Sequence, residues 1–560
     1  MNNLERILGI TFPYELEVTS ATNSTNKVKK GAVFFGLPGS QNHGSKYIQK
    51  ALELGALIAI HNDPEYRSEN TNIFYVEDLQ KEDHFFKRDK LYYFLEELYK
   101  ISDIQNANNF YAFTGTNGKT SSAYLCHQLL INQGYESLYI GTLGTQYNKN
   151  EINRSFSSKT TPDIFEIFEV FNFFGIKNAV SVCLEVSSHA LDQKRLKNIT
   201  ILNSACILNI GSDHLDYHKN IKSYKDSKFK IFQNICSLKL IHEDLEMDIS
   251  KYNFIKNSRN EFTVVSNYKM SADIFYEIIE SSIENTIFKI IVNNPPADYN
   301  LTSRKEYLFK TSIFPNFNIS NLVFAICSIG FYDFFEKELN DLSFLKLPKG
   351  RSEYIQDIPA HVIIDYAHNP EGFRFFLSSI KEYFENLIIV FGCGGDRDKS
   401  KRPKMLKAAT DNGNRVIFTT DNSRNESFSD IYSDAIDQNN DQKVTVIEDR
   451  KEAIIRGSQL IGNNDCLVIL GKGHEDTQET NGEIIYFNDY NYEGSAMATI
   501  IDVLSYVTHI NSMNANFALN ETFLDTAQLR TSVVSHAKLL GYTPRSIAPS
   551  TAFINCKMAT

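Results

Sequence analysis

The feature of this sequence that most constrains its fold is a repeated unit: a short apolar run, a polar or glycine-rich turn, and then a helical pattern. The apolar runs include residues 32–35, 110–113, 180–184, 206–210, 387–391 and 467–470. This alternation is typical of βα units whose strands pair into parallel sheets. The sequence therefore predicts an α/β fold.

The units fall into three blocks, which agrees with about 150 residues per domain in a chain of 560 residues. We predict an N-terminal domain over residues 1–105, a central domain over 106–347 and a C-terminal domain over 348–486. Residues 348–350, Pro-Lys-Gly, are interpreted as a hinge between the last two. The chain continues over 487–560, which we interpret as a mainly helical extension.

The charge of the chain excludes some classes of partner. Its 57 basic and 68 acidic residues give a net charge of −11, whereas binding nucleic acid or an anionic membrane needs a basic face. The eight cysteines are scattered without a C-x-x-C pair, so neither a disulfide scaffold nor a cysteine zinc site is indicated. The first residues lack the pattern of a signal peptide, and no apolar run reaches the roughly 18 residues of a membrane span. We therefore expect a cytoplasmic monomer that acts on small molecules.

Polar clusters follow almost every predicted strand directly. In open α/β sheets ligands bind at the carboxyl ends of the strands, so these clusters are candidates for one active site. Two sheets whose strand ends face each other across a cleft would bring the clusters together. They occupy residues 115–120, 185–189, 211–218, 365–370, 392–402, 421–426 and 471–475.

One cluster has the character of a phosphate loop. Residues 114–121 read Thr-Gly-Thr-Asn-Gly-Lys-Thr-Ser between a predicted strand and a predicted helix. Backbone N–H groups of such a loop bind phosphates, with Lys119 on the β and γ oxygens and Thr120 on Mg²⁺. The general pattern needs a glycine five residues before Gly118, where Phe113 stands. A merely glycine-rich turn is therefore the alternative, but the strand before and the helix after favour phosphate binding.

Two further clusters suggest metal ions beside this loop. Glu185 ends a buried strand, where a carboxylate next to phosphates is a natural Mg²⁺ ligand, although a strand-end Glu is usually just solvated. His214 and His218 stand four residues apart, but a zinc-protease helix needs Glu after the first histidine, and Leu215 occupies that place. His214 fits a second Mg²⁺ site better. By itself, Lys228 is typical of an ordinary surface lysine.

Cationic residues of the third block suggest a pocket for an amino acid. Residues 394–402 are rich in Arg and Lys, and residues 421–424 read Asp-Asn-Ser-Arg. A solvated charge run is the alternative interpretation. Arg397, Arg424 and Glu475, however, fall at adjacent predicted strand ends, where the arginines would bind a carboxylate and the glutamate an ammonium group.

Together these motifs resemble the Mur ligase family, the ATP-dependent amino-acid-adding ligases of peptidoglycan synthesis. The family's variant phosphate loop reads T-G-T-N-G-K-T, as residues 114–120 do, and the resemblance covers about residues 1–485. It implies a three-domain architecture with a central P-loop ATPase domain, a Rossmann-like C-terminal domain, and ATP and Mg²⁺ as cofactors. It also implies that the chain adds meso-diaminopimelate to UDP-N-acetylmuramoyl-L-alanyl-D-glutamate through an acyl phosphate.

The resemblance further implies residue roles in ATP and Mg²⁺ binding. Lys119, Lys228, His214 and Glu185 would be catalytic, and a carbamylated Lys228 would hold Mg²⁺ together with Thr120, Glu185 and His214. Lys228 thus gains a role that its own sequence context does not give it. The ATP-binding residues would be Gly115, Thr116, Asn117, Gly118, Lys119, Thr120, Ser121, Asn321, Arg351, Asp365 and Asn369.

Two further sets of residues would bind the other substrates. The UDP-muramoyl-dipeptide would contact Thr25, Ser40, Gln41, Asn42, Thr160, Thr161, Ser187, Gln193 and Arg195. The diaminopimelate would contact Arg397, Asp421, Asn422, Arg424, Gly471 and Glu475.

The sequence departs from the family pattern at two places. Diaminopimelate-adding members show D-N-P-R, and lysine-adding members lack that arginine; here Ser423 replaces the proline and Arg424 is kept. The arginine favours diaminopimelate, while the loop loses the φ restraint of proline. In the first domain the family's D-S-R reads Ser-Thr-Asn at residues 24–26.

Three alternative functions stay open: a lysine-adding homologue, a folylpolyglutamate-synthase-like ligase, and an inactive ligase domain fused to a phage structural segment. The third arises because residues 487–495 and 523–534 resemble a contractile-phage baseplate wedge protein. An ordinary helical tail is the plainer interpretation of that stretch. The intact ATP and Mg²⁺ residues argue against an inactive domain.

Overall fold

The computed structural model describes most of the chain from Asn3 to Asp489. The extension predicted over 487–560 lies almost entirely outside the described residues, so its helical character stays a prediction. The residues that are not described are 1–2, 40–41, 83–87, 105–107, 154–155, 157–158, 178, 200, 212, 250–261, 300, 302, 331–334, 356–360, 437–441, 463, 488 and 490–560.

The first block is built on a four-stranded parallel sheet, whose strands are hydrogen-bonded in chain order. Successive side chains of a strand point to opposite faces, so Phe34 packs with Ile48 and Ala51 while Phe35 packs with Phe94. Helices therefore cover both faces of this sheet. Its strands are β1 (Ser20–Thr22), β2 (Ala32–Gly36), β3 (Ile58–His61) and β4 (Ile73–Tyr75).

The second block forms an eleven-stranded mixed sheet. Its strands are β5 (Asn109–Thr114), β6 (Ser137–Gly141), β7 (Gly144–Tyr147), β8 (Ser181–Glu185), β9 (Ile201–Ile207), β10 (Ile235–His242), β11 (Phe262–Ser266), β12 (Ile274–Ser281), β13 (Thr286–Val292), β14 (Lys305–Thr311) and β15 (Asn340–Asp341). Their order is β15-β14-β13-β12-β11-β10-β9-β5-β8-β6-β7. The neighbouring strands β12, β11, β10, β9, β5, β8 and β6 run parallel to one another. Beyond them, β7 pairs antiparallel with β6 on one side, and β13 pairs antiparallel with β12 and β14 on the other.

The third block is a six-stranded sheet followed by a hairpin. The sheet strands are β16 (Glu353–Ile355), β17 (His361–Asp365), β18 (Leu387–Phe391), β19 (Arg415–Phe418), β20 (Val444–Val446) and β21 (Cys466–Leu470), and the hairpin strands are β22 (Thr477–Thr480) and β23 (Glu483–Tyr486). The sheet order is β16-β17-β21-β18-β19-β20, and every pair is parallel except β16 with β17.

The helices connect these strands as the βα pattern predicts, and polar N-caps mark where several begin. Asp163, for example, accepts a hydrogen bond from the Glu166 amide and forms a capping box. Among the described helices none is long and apolar enough to cross a membrane. The α-helices are Asn3–Leu8, Ile48–Glu53, Lys90–Tyr99, Lys119–Asn132, Ile164–Phe173, Ser188–Asp192, Leu215–His218, Ile221–Phe229, Glu246–Ile249, Asn318–Ile329, Pro370–Ile380, Arg402–Asn412, Phe428–Ala435 and Arg450–Ser458.

The predicted α/β class is confirmed, but one predicted strand has the wrong bounds and several strands were missed. Apolar residues 206–210 predicted a strand, whereas β9 spans Ile201–Ile207. Two polar residues, Asn203 and Ser204, interrupt the strand, so only its last residues lie in the apolar run. Strands β10 to β15 were missed because most carry Lys or Glu on a half-buried face, as Lys289 does in β13.

The first and second blocks share one apolar core. Phe168 of the helix Ile164–Phe173 lies at its centre and is fully buried. Its ring centroid is 5.5 Å from that of Tyr92 and 6.1 Å from that of Tyr99, both on the helix Lys90–Tyr99. The relative position of the two blocks is therefore fixed by packing rather than by a flexible linker.

The third block contacts the second through a hydrogen-bonded linker and an aromatic cluster. The Gln128 side chain donates to the Lys346 carbonyl and accepts from the Lys346 amide, at 2.8 and 3.0 Å. Phe317 packs against Phe375, with ring centroids 5.2 Å apart. The helix that follows the phosphate loop thereby holds the chain just before the predicted hinge.

Replacing Phe168 by alanine should destabilise the shared core, because it leaves a cavity between the two blocks. We expect the free energy of unfolding to fall by about 3–5 kcal/mol, measured by urea denaturation. Phe173→Ala is the matched control, since Phe173 lies on the same helix but is 58% exposed. An equal fall in the free energy of unfolding in the two variants would contradict a core that the two blocks share through Phe168.

Candidate active site

The phosphate loop joins β5 to the helix Lys119–Asn132, as predicted. Gly118 has a left-handed backbone (φ 85°), and a Cβ at this position would collide with the side chain of Asn321. Asn209, which the sequence analysis missed, accepts from the Asn117 amide at 2.9 Å and donates to its carbonyl at 3.0 Å. These contacts hold the backbone of the loop open at the carboxyl end of the sheet.

Two lysine side chains converge on the carbonyl of Gly115. Lys119 Nζ donates to it at 2.9 Å, and Lys228 Nζ, from the helix Ile221–Phe229, donates to it at 2.7 Å. Burial lowers the pKa of Lys119, and burial together with Lys119 lowers the pKa of Lys228 well below its ordinary value. Two cations this close favour the binding of an anion.

Lys228 is not a surface lysine, contrary to what its own sequence context predicts. It is 1% exposed, and its Nζ lies 4.7 Å from the ring centroid of Tyr224. Tyr224 itself is buried and bonds through its hydroxyl to Thr116 of the phosphate loop at 3.1 Å. Tyr224 and Lys228 stand four residues apart in this helix, so both side chains lie on the face that is directed at the loop.

Glu185 is fully buried at the end of β8 and its two oxygens accept four hydrogen bonds. Oε1 accepts from the Tyr139 hydroxyl and from the Thr142 amide, the latter at 2.9 Å. Oε2 accepts from the hydroxyls of Thr120 at 2.9 Å and Thr142 at 3.0 Å. A Cβ on Gly141 would collide with this carboxylate, so the strand beside it needs glycine there.

The oxygen atoms of Glu185 and Thr120 fit the ligand geometry of a Mg²⁺ ion. Adjacent ligands of octahedral Mg²⁺ at about 2.1 Å are about 3.0 Å apart, and Thr120 Oγ1 lies 2.9 Å from Glu185 Oε2. Within the described part of the chain, no group of three or more His, Cys, Asp or Glu side chains could hold a metal ion. Mg²⁺ suits such a site, because it is usually held by one or two protein ligands, phosphates and water.

The two predicted histidines have different environments. His218 is buried and bonds to Ser188 and Ser227, at 3.0 and 3.4 Å. His214 precedes the short helix with a left-handed backbone (φ 52°), and its Nε2 lies 3.5 Å from Asp213 Oδ2. The His214 side chain is 48% exposed, and partial desolvation together with the nearby His189, Lys119 and Lys228 lowers its pKa, which favours the neutral imidazole that can ligate a metal. His218 instead has a structural role.

The predicted dipeptide-binding residues of the second block form one network beside Glu185. Thr161 donates to the Glu185 carbonyl at 2.9 Å and accepts from the Ser187 amide at 2.9 Å. Arg195 donates to the Thr161 carbonyl at 3.0 Å and to Gln193 Oε1 at 2.7 Å. Thr160 joins the network through the hydroxyl of Thr142, at 3.2 Å.

The predicted uridine-side residues lie in the first block, away from that network. Thr25 begins a 3₁₀ turn, Thr25–Lys27, and Asn42 accepts from Lys46 at 2.8 Å. Lys27, which the sequence analysis missed, donates to Glu166 of the second block at 2.5 Å. Ser40 and Gln41 lie outside the described residues.

The third block brings its predicted ATP residues to the phosphate loop. Arg351 Nη2 lies 3.4 Å from Thr120 Oγ1, and its guanidinium stacks 4.4 Å from the ring centroid of Tyr366. Asp365 ends β17 and accepts from the Ser352 and Ala367 amides, at 2.6 and 2.7 Å. Burial raises the pKa of Asp365.

Two further contacts complete this approach of the third block. Asn369 caps the helix Pro370–Ile380 by accepting from the Gly372 amide at 2.7 Å. Lys401 Nζ lies 3.5 Å from Asp213 Oδ1 of the second block. The strand ends of the two sheets therefore face each other, as the positions of the polar clusters predict.

The predicted acceptor residues lie together at the ends of β19 and β21. Asn422 donates to Glu475 Oε2 at 2.9 Å, and Arg424 donates to the Gly395 carbonyl at 2.7 Å. Gly471 (φ 108°) lies against the side chain of Asp421.

Arg397 is exposed and forms no hydrogen bond or ion pair with another described residue. It is therefore available to a ligand at the edge of this group.

The loop that lacks the family proline is held by the hairpin instead. The Arg424 amide donates to the Glu479 carbonyl at 3.0 Å, and the Asn481 amide donates to the Arg424 carbonyl at 2.5 Å. Ser423 is buried and its hydroxyl donates to Thr480 Oγ1 at 3.2 Å. The hairpin thus fixes the loop in place of the missing φ restraint.

Lys472 is a pocket residue that the sequence analysis missed. It is fully buried, and its Nζ donates to Asn422 Oδ1, Glu475 Oε2 and the Thr477 carbonyl, at 3.3, 3.1 and 2.6 Å. All three of its N–H groups are used. Its place directly after Gly471, at a strand end, was the available signal.

Comparison with known proteins identifies the family. Profiles described as the Mur ligase family catalytic domain, the Mur ligase middle domain and the Mur ligase glutamate ligase domain match residues 18–84, 113–329 and 350–473. A UDP-N-acetylmuramoyl-L-alanyl-D-glutamate--2,6-diaminopimelate ligase of Wigglesworthia glossinidia brevipalpis is 33% identical over 510 residues, covering 87% of this chain and 97% of the relative. The chain belongs to the Mur ligase family. The predicted family and the predicted class, an ATP-dependent ADP-forming ligase, are confirmed.

Other relatives agree with this assignment. The ligase of the same name from Coxiella burnetii is 32% identical and covers 84% of this chain and 94% of the relative. The solved structure of a ligase of that name has a TM-score of 0.56 and 26% identity, covering 89% of this chain and 98% of that one. A MurF ligase of Thermotoga maritima in complex with ADP shares the fold at 16% identity and a TM-score of 0.55, covering 84% of this chain and 95% of that one.

The end of the chain matches a different family. A profile described as the baseplate wedge protein gp6-like helical domain matches residues 482–542, which agrees with the resemblance stated for the residues after 487. The match begins inside the hairpin, so its first residues are part of the ligase structure described above.

Replacing Glu185 by glutamine should strongly reduce ATP turnover. The amide keeps the size of the side chain but removes the charge and turns an N–H₂ group toward two hydroxyl donors. We expect phosphate release to fall by about 100-fold or more, measured with saturating substrates. Glu306→Gln, at an exposed position of strand β14 in the same sheet, should keep the wild-type rate. A Glu185→Gln variant that also keeps this rate would contradict the proposed role of Glu185.

Proposed function

We propose that this Mur ligase is an ATP-dependent enzyme that adds meso-diaminopimelate to UDP-N-acetylmuramoyl-L-alanyl-D-glutamate. The observation that supports it most directly is the approach of two strand-end clusters: the phosphate loop with Glu185 on one sheet, and Arg424, Asn422 and Glu475 on the other. The curated relatives above carry this activity in their names. A nucleotide-linked substrate and ATP place the reaction in the cytoplasm, and we keep the monomer as part of the proposal.

The chemistry follows from the positions of the side chains. The carboxylate of the dipeptide, held by the network of Thr161, Ser187 and Arg195, attacks the γ-phosphate of ATP bound at the phosphate loop. The bond to the β,γ-bridging oxygen breaks, ADP leaves and an acyl phosphate forms. Lys119 stabilises the charge that develops on the transferring phosphoryl group. The acyl phosphate then reacts with the neutral amine of the acceptor, and inorganic phosphate leaves.

Mg²⁺ belongs to this proposal. Thr120 and Glu185 would hold one ion and His214 with a carbamylated Lys228 a second, and bound Mg²⁺ would neutralise phosphate charge. Arg351, from the third block, lies over Thr120 and closes the site against water. Asp365, Asn369 and Asn321 complete the ATP site, in which Asp365 fixes the backbone around Ser352.

Carbamylation of Lys228 is supported by its surroundings. The nitrogen attacks CO₂ only as a neutral amine, and burial beside Lys119 favours that form. Addition of CO₂ with loss of one N–H proton places an anion beside the Lys119 side chain and supplies an oxygen ligand.

Diaminopimelate is proposed as the acceptor because the pocket offers charges for a second amino-acid group. Arg424 and Arg397 would bind the distal carboxylate, and Glu475 and Asp421 the distal ammonium group. L-Lysine has the amine but no distal carboxylate for these arginines. A lysine-adding enzyme is therefore the second candidate, distinguished by the acceptor that supports turnover.

The proposed function predicts phosphate release from ATP and Mg²⁺ that depends on both UDP-muramoyl-dipeptide and meso-diaminopimelate. L-Lysine should give a kcat/KM lower by about 100-fold or more, because it has no distal carboxylate for the two arginines to bind. The assay is coupled phosphate release with each acceptor in turn. Comparable turnover with lysine would contradict the acceptor assignment, and no turnover with either would contradict the ligase proposal.

Carbamylation predicts a carbamate carbon in the ¹³C NMR spectrum of the protein in ¹³C-bicarbonate. Lys228→Arg keeps a cation but cannot form the carbamate. We therefore expect the carbamate signal to disappear and turnover to fall by about 100-fold or more. Lys230→Arg is the matched control, because Lys230 lies two residues away and pairs with Asp192. A fully active Lys228→Arg variant would contradict the proposal.

A further inference from the structure

Arg450 makes the most enclosed ion pair of the described third block. It begins the helix Arg450–Ser458, and both its side chain and that of Asp489 are 0% exposed. Nε donates to Asp489 Oδ1 at 3.1 Å and Nη2 donates to Oδ2 at 3.0 Å, a bidentate arrangement. None of the site residues described above belongs to this pair.

The same guanidinium also bonds to two backbone carbonyls. Nη2 lies 3.2 Å from the Leu470 carbonyl and Nη1 lies 3.4 Å from the Thr420 carbonyl. Leu470 directly precedes Gly471, and Thr420 directly precedes Asp421. One side chain therefore joins the starts of the two loops that form the proposed acceptor pocket.

The sheet itself does not connect these two loops. In the strand order, β18 lies between β21 and β19, so no backbone ladder joins the strand before Gly471 to the strand before Asp421. Arg450 spans that gap from the loop side. Arg450 therefore joins the two loops at their bases, whereas the hydrogen bonds of Asn422 with Glu475 and Lys472 join them further along.

Asp489 makes this bridge possible. A fully buried guanidinium is costly unless a charge pairs with it and its N–H groups are bonded. The carboxylate comes from beyond residue 486, the predicted end of the third domain, and from within the stretch that matches the wedge-like profile. The Phe487 amide bonds to the Asp476 carbonyl at 3.0 Å, which guides the chain back under the pocket.

We infer that Arg450 is a positioning residue for the acceptor pocket, and that Asp489 extends the functional ligase past the hairpin by pairing with it. This inference deepens the proposed function and rests on it for the identity of the acceptor. Its physical content, that one buried ion pair sets the spacing of two loops, is independent of which amino acid is bound.

The first test is steady-state kinetics of the full-length variants Arg450→Lys, Arg450→Met and Asp489→Asn. We expect the KM for diaminopimelate to rise by about tenfold or more in Arg450→Met and by less in Arg450→Lys and Asp489→Asn, while the KM for ATP stays within about twofold. A purely structural role would change all KM values together or leave them unchanged, and either result would overturn the inference.

Asp465→Asn is the matched control. Asp465 accepts from Asn386 at 2.7 Å and lies at the opposite end of β21, away from the pocket. The Asp465→Asn variant should have a lower free energy of unfolding but an unchanged KM for diaminopimelate. A rise equal to that of Arg450→Met would also overturn the inference, because it would mean that any loosening of the sheet has this effect.

Hydrogen exchange separates this inference from the proposed function, because it needs no turnover. Amides of residues 421–424 and 471–475 should exchange about tenfold faster or more in Asp489→Asn than in the wild type, and Asp465→Asn should leave them unchanged. Unchanged exchange in Asp489→Asn would overturn the inference. Faster exchange in a protein that does not use diaminopimelate would support the inference and refute the proposed function.

Discussion

The buried carboxylate of Glu185 is the interaction on which the arrangement of the active site depends. A charge with 0% exposure is stable only if its oxygens are bonded, and four donors from β6, the turn after it and the phosphate-loop helix supply those bonds. The carboxylate therefore holds three elements of the central sheet at fixed distances. In the proposed function the same oxygens ligate Mg²⁺, so structural and functional demands would coincide at one side chain.

The second constraint is the way in which the third block meets the second. Arg351 over Thr120 and Lys401 beside Asp213 place positive charge from one sheet against the phosphate loop and acidic side chains of the other. The Gln128–Lys346 hydrogen bonds hold the linker between them. These contacts make one cleft from two sheets that are far apart in sequence, with the phosphate loop on one wall and the proposed acceptor pocket on the other.

Local pattern was sufficient for the repeated βα unit and for the phosphate loop, because the residues that specify each lie within a few positions of one another. Pattern failed for β10 to β15, most of which carry Lys or Glu side chains that interrupt the apolar run. It also failed for Lys472 and Asn209, which are ordinary polar residues in sequence and acquire a role only through neighbours from other strands. The replacement of proline by Ser423 suggested a loosened loop, yet the hairpin holds that loop through contacts about 55 residues away in the chain.

By itself, the sequence determined the fold class, the phosphate loop and the chemical type of each strand-end cluster, since periodicity and short motifs are local properties of the chain. Tertiary structure decided which of those residues act together. Only folding buries Lys228 beside Lys119, gives His214 and His218 different partners, and brings Arg450 and Asp489 beneath two loops from non-adjacent strands. The physical reason is that burial, pKa shifts and ion pairing depend on neighbours in space, and those neighbours come from distant parts of the chain.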